Sequence, residues 1–82
     1  MKFRVHVALK NGVHDPQGEA ALRVLKRNGL EGFKDVRVGK VLDVEVDART
    51  PAEAKALVEK ASKELFCNTV IERFTVSAVD EA

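Results

Sequence analysis

The chain has 82 residues, 45% of them hydrophobic and 33% charged, with a formal net charge of +1. Those values fit one globular domain spanning residues 1–82 and give no electrostatic ground for binding nucleic acid or a membrane surface. Cys67 is the only cysteine, which rules out an internal disulfide, and no stretch approaches the roughly 20 apolar residues of a membrane span.

Lys2 to Lys10 alternates in polarity and predicts a strand, with Phe3, Val5, Val7 and Leu9 on one face and Lys2, Arg4, His6, Ala8 and Lys10 on the other. The same segment lacks the continuous apolar run of a signal peptide, so the expected location is cytoplasmic. NGVHD then turns into a first helix, with Asp15 as N-cap, Pro16 at the first helical position and Gly29 as a left-handed C-cap. Gly18 falls in the first turn, where glycine costs about 1 kcal/mol relative to alanine. Because Gly18, Ala21, Leu22 and Leu25 share one stripe, the expected return is close packing of the helix start against a sheet. An anion site at that helix end is the alternative, and Asp15 opposes it by already placing a carboxylate at the positive end of the dipole.

VRVGKVLDVEVDA predicts a hairpin with Val36 and Val38 on one strand and Leu42, Val44 and Val46 on the next. Pairing Val38 with Leu42 keeps the apolar sets together and asks for a three-residue loop or a bulge at Gly39. TPAE at Thr50 to Glu53 is a capping box opening a second helix, expected to bury Ala54, Leu57, Val58, Ala61 and Leu65. Val70 to Val79 predicts a last strand with Val70, Phe74, Val76 and Ala78 on one face.

The resulting order, βαββαβ, closes most simply as a ferredoxin-like α+β sandwich: a four-stranded antiparallel sheet with both helices on one face. In that topology the basic outward face of the first strand adjoins the acidic face carrying Asp43, Glu45 and Asp47, a favourable cross-strand match. Ala8, Val41, Ile71 and Val79 on the open sheet face form a candidate subunit interface.

Catalytic patterns are missing. His6 and His14 have no base-like setting, Cys67 follows a helix C-terminus that raises a thiol's pKa, no zinc spacing occurs, and neither phosphate-loop fingerprint is present. RNA modules of this fold stack bases on sheet aromatics; here Trp and Tyr are absent and Phe3 and Phe74 belong to inward sets. Residue chemistry alone therefore stops at a small, oligomeric α+β domain without its own active site, and an ACT-like regulatory module that binds a small ligand fits equally well.

KNGVHDPQGEA (Lys10 to Ala20), DVRVGK (Asp35 to Lys40) and NTVIE (Asn68 to Glu72) resemble, in that order, the PurS family, the small subunit of phosphoribosylformylglycinamidine synthase. One departure is Thr69, where the family often has proline. The resemblance implies a complex that makes formylglycinamidine ribonucleotide from formylglycinamide ribonucleotide, ATP and glutamine. In it a PurQ-type glutaminase subunit releases ammonia, and a PurL-type synthetase subunit uses ATP and Mg. A PurS-like chain would hold no catalytic, metal or cofactor residues of its own, would form a homodimer or dimer of dimers, and would bridge the other two subunits. The expected partner contacts are Asp15, Pro16, Gln17 and Gly18 at the helix start, with Arg37, Gly39 and Lys40 at the hairpin.

Overall fold

A computed structural model describes residues 1–79. Chain order is β1 (Lys2–Leu9), α1 (Pro16–Arg27), β2 (Lys40–Glu45), α2 (Pro51–Ala61), a π-helical turn (Ser62–Phe66) and β3 (Glu72–Ala78). The sheet is antiparallel with β1 at its centre, in the order β2-β1-β3.

Alternation in β1 works as expected: Phe3, Val5 and Val7 are buried while Lys2, Arg4 and His6 are exposed. These three side chains meet Ala54 and Val58 of α2 and Cys67 to form the core, with Leu42, Val44, Phe66, Phe74 and Val76 packed around them. On the other face, the register sets Lys2 opposite Glu45 and Arg4 opposite Asp43. Arg4 Nε donates to Asp43 Oδ1 at 2.8 Å, which holds the Asp43 carboxyl below its ordinary value and raises the guanidinium. The cross-strand charge match read from the sequence is present.

Both helices start where their caps require. Asp15 accepts the Gly18 N–H and Thr50 accepts the Glu53 N–H, each followed by proline in the first turn. Gly29 has φ +77° and closes α1 in a Schellman motif: Gly29 N–H donates to the Lys26 carbonyl at 3.1 Å and Leu30 N–H to the Leu25 carbonyl at 3.0 Å.

Four expectations need correction. The sheet has three strands among the described residues, so the four-stranded ferredoxin-like sheet is not formed. Residues 36–38 pair with no strand, and the expected Val36-to-Val46 hairpin is replaced by an irregular segment that crosses the start of α1. In α2 the expected stripe is only half realised: Ala54 and Val58 are buried, whereas Leu57 is 52% and Leu65 79% exposed. The cause for Leu65 is the π turn, in which Cys67 N–H reaches back five residues to the Ser62 carbonyl at 2.9 Å. One residue more per turn rotates the helix register, so Phe66 and Cys67 face the core in place of Leu65. Finally, β3 starts at Glu72, and Val70, expected inside, is 80% exposed in the preceding turn.

α1 does not lie on the sheet. It makes no extended contact with any strand or with α2, and only Gly18 of its expected apolar stripe is buried; Ala21, Leu22 and Leu25 are half-buried. The molecule accordingly measures 52 × 33 × 14 Å. Among the described residues no helix is long and apolar enough to cross a membrane.

Candidate functional site

One carboxylate organises the end of the molecule where α1 begins. Asp15 is buried, 6% exposed, and spends its two oxygens on two backbone groups. Oδ1 accepts the Gly18 N–H at 2.9 Å and Oδ2 accepts the Val38 N–H at 2.7 Å. The first bond caps the helix; the second ties it to the segment after α1. Those two bonds, in that order, with a smaller contribution from the Arg37 charge, hold the Asp15 carboxyl below its ordinary value against the opposing effect of burial.

Gly18 is required by this arrangement. A Cβ there would collide with the backbone carbonyl oxygen of Val36 and lie 2.8 Å from Asp15 Oδ2. The packing reading of this glycine is correct, but its neighbour is the backbone of the segment before β2 and not the sheet. Gly39 serves the same crossing: its Cβ would stand 2.7 Å from the Val7 carbonyl oxygen, so the chain passes directly over the end of β1.

A third segment joins from the far end of the sequence. Asn68 forms an Asx turn, its Oδ1 accepting the Val70 N–H at 3.1 Å, and its own N–H donates to Glu72 Oε1 at 2.8 Å. Since Asn68 and Glu72 form this turn, it does not depend on proline at position 69. Lys10 fastens the turn to β1: its backbone N–H donates to the Ile71 carbonyl at 2.8 Å and its Nζ to the Thr69 carbonyl at 2.7 Å. Arg37 Nη2 donates in turn to the Lys10 carbonyl at 3.4 Å.

The three motifs are thus one structural unit. An open groove of about 440 Å³ runs between them, lined by Asp15, Pro16, Gln17, Gly39 and Lys40 among others, with Ile71 and Glu72 on its far wall. Gly18 lies buried behind it. Arg37 is not in the groove; it faces the opposite side of the Val38–Gly39 segment, beside His6 and Arg73. Lys10, Asn68 and Glu72 are the members that sequence reasoning did not single out. Asn68 and Glu72 were visible as the ends of NTVIE, and Lys10 as the first residue of its motif.

Reactive chemistry is sparse here. His14 Nε2 lies 3.4 Å from Glu19 Oε2 on the exposed start of α1. Cys67 is buried, and burial first, then the Glu72 charge, push its thiol up, so it is a poor nucleophile. Among the described residues no group of three or more His, Cys, Asp or Glu is placed to hold a metal ion.

These features define a small α+β protein organised around a backbone-tied groove whose lining has no cysteine, serine or threonine, and no metal-binding cluster is found among the described residues. The family model described as PurS, phosphoribosylformylglycinamidine (FGAM) synthase, matches residues 2–80. A PurS subunit of that synthase from Thermotoga maritima is 37% identical over 75 residues, covering 92% of each chain. The Archaeoglobus fulgidus subunit is 35% identical over 72 residues, covering 88% of this chain and 90% of that one. Among solved structures, PurLQS from Thermotoga maritima matches with a TM-score of 0.85 at 37% identity, covering 93% of both chains. PurS of B. subtilis matches with a TM-score of 0.84 at 33% identity, covering 93% of this chain and 94% of that one. The chain belongs to the PurS family.

Proposed function

We propose that this chain is the non-catalytic assembly subunit of a phosphoribosylformylglycinamidine synthase, bridging a PurL-type synthetase subunit and a PurQ-type glutaminase subunit. The observation that carries this reading is the convergence of the three family motifs on one groove tied together by hydrogen bonds to backbone groups. Such a groove is suited to holding another protein's surface. The similarity to the PurLQS structure supports the same partners.

In this reading Asp15, Pro16, Gln17, Gly39 and Lys40 form the partner-facing groove, Gly18 sets its backbone, and Arg37 contributes from the adjoining face. ATP and Mg act on the synthetase subunit, the complex works in the cytoplasm, and this chain supplies no cofactor ligand. A homodimer or dimer of dimers is part of the same proposal, because among the described residues no element packs extensively over the half-buried stripe of α1. The test is glutamine-dependent FGAM formation by matching synthetase and glutaminase subunits, at fixed ATP, with and without this chain. Activity that requires all three chains is expected; equal activity without this one would overturn the bridging role. Thermal shift against amino acids and nucleotides would then test the regulatory-module alternative.

A further inference from the structure

The outward face of the sheet is electrically divided. At the end holding Lys2 and Arg4, each cation stands opposite an acid, Lys2 against Glu45 and Arg4 against Asp43. At the other end the face carries the guanidinium groups of Arg73 and Arg37 beside the His6 imidazole. The register places Arg73 of β3 opposite Ala8, beside His6 of β1, and Arg37 arrives from the crossing segment, anchored to the Lys10 carbonyl. Among the described residues, none of His6, Arg37 or Arg73 takes part in an ion pair. Asp15 feels the Arg37 charge, but its two oxygens are already committed to the Gly18 and Val38 N–H groups.

These groups surround a recess of about 200 Å³, which His6, Ala8, Asn11, Arg37, Gly39 and Arg73 help to line. Two small residues keep it open. Ala8 lines it with a single methyl group, and a Cβ on Gly39 would lie 3.7 Å from His6 Nε2. The volume is below the roughly 300 Å³ at which pockets for whole organic ligands begin, so the occupant is a compact group. Two guanidinium forks from different segments, with an imidazole and an amide between them, offer more N–H donors than a planar carboxylate can accept. A tetrahedral dianion has acceptor oxygens for each side.

We propose that this recess is an oxyanion site that takes a phosphate group, either free phosphate or the terminal group of a small phosphomonoester. The site shares Arg37 with the proposed partner-facing surface but requires only the fold of the free chain, so its test needs no partner subunit. The test is a titration of the isotopically labelled full chain with inorganic phosphate and, separately, with glycerol 3-phosphate. Ionic strength is held constant with chloride, and backbone amide shifts are followed. Saturable shifts at His6, Ala8, Asn11, Arg37, Gly39 and Arg73 are expected. Arg73→Gln should weaken binding about tenfold or more, the loss expected for a charge-assisted hydrogen-bonding partner, and Arg37→Gln should do the same. Lys63→Gln, which removes an equal charge from the exposed π turn, should leave it unchanged. Binding of phosphate but not glycerol 3-phosphate would assign the free anion; binding of glycerol 3-phosphate as tightly or more so would assign the ester. Unsaturable shifts with both, or equal weakening by Lys63→Gln and Arg73→Gln, would overturn the site.

Discussion

Asp15 shows how much one side chain can decide. Its first oxygen caps α1 and its second fixes Val38, so removing it frees two ends of the chain at once. Because its carboxyl titrates below the ordinary value in the folded state, its stabilising contribution is complete above the unfolded carboxylate pKa. That contribution is lost as pH falls through the folded value. Asp15→Asn should therefore melt lower than the wild type at neutral pH and lose less of its melting temperature between about pH 5 and pH 2. Melting curves across that range check both signs; parallel curves would mean Asp15 is not tied in the free chain. Asp43 acts in the same direction, but its pairing with Arg4 is exposed and salt-screened. Gly18 gives a second test, because two effects of alanine oppose each other. Helix propensity favours Gly18→Ala by about 1 kcal/mol, whereas a collision with the Val36 backbone forces the crossing segment off the helix and costs about 1–3 kcal/mol or more. Backbone cannot rotate away as a side chain can, so the clash should win and urea unfolding should show a net loss. A gain would mean that residues 36–39 are not seated on α1.

Elements were legible from sequence where the deciding interactions are local. Period-2 alternation in β1, the Asp15 and Thr50 caps and the Gly29 Schellman end each depend on residues within one turn or strand, and each is present. The missing strand was not legible. Val36 and Val38 alternate like a strand, but the Val38 N–H is taken by a carboxylate 23 residues earlier in the chain, a non-local bond that no local pattern encodes. The same limit applies to the candidate site. Its first two motifs were visible, but the Lys10 anchor that brings in the third joins residues 59 apart. The π turn is another such case: LVEKASKEL has a good helical period, and the single extra residue that turns Leu65 outward is set by the fit of Phe66 and Cys67 to the core. This makes a contrast that unfolding experiments on the isolated chain can read. Leu65→Ala should cost no more than about 0.5 kcal/mol, as for an exposed position, whereas an uninterrupted α-helix would bury Leu65 and raise the cost to about 2–5 kcal/mol. Val58→Ala, at 2% exposure, should cost about 2 kcal/mol by loss of two buried carbon groups and the space they leave.

At the scale of the whole molecule the chain is too extended for its length. Its radius of gyration is 16.3 Å, against about 12 Å for a compact domain of this size, and α1 accounts for the difference by standing away from the sheet. A helix with an apolar stripe gains most of its stability by burying that stripe, since a dozen residues alone are marginal in water. Leu22 and Leu25 are only half-buried, and Val24, Leu30 and Phe33 are each close to half exposed. Leaving these groups in water would forgo about 1–2 kcal/mol for each large side chain that a covering surface could bury. A second copy of the chain offers that surface in the symmetric form most common for small proteins. The double substitution Leu22→Asp with Leu25→Asp should therefore convert a sedimenting dimer or larger assembly to a single-chain mass. The β1-centred core, which contains neither residue, should keep its amide protection. If the wild type already sedimented as a single chain with α1 protected from exchange, the stripe would have to be covered from within, and the open arrangement of α1 would be wrong. If the variant instead stayed assembled, the subunits would be joined elsewhere, with the open sheet face around Val41 the next surface to substitute.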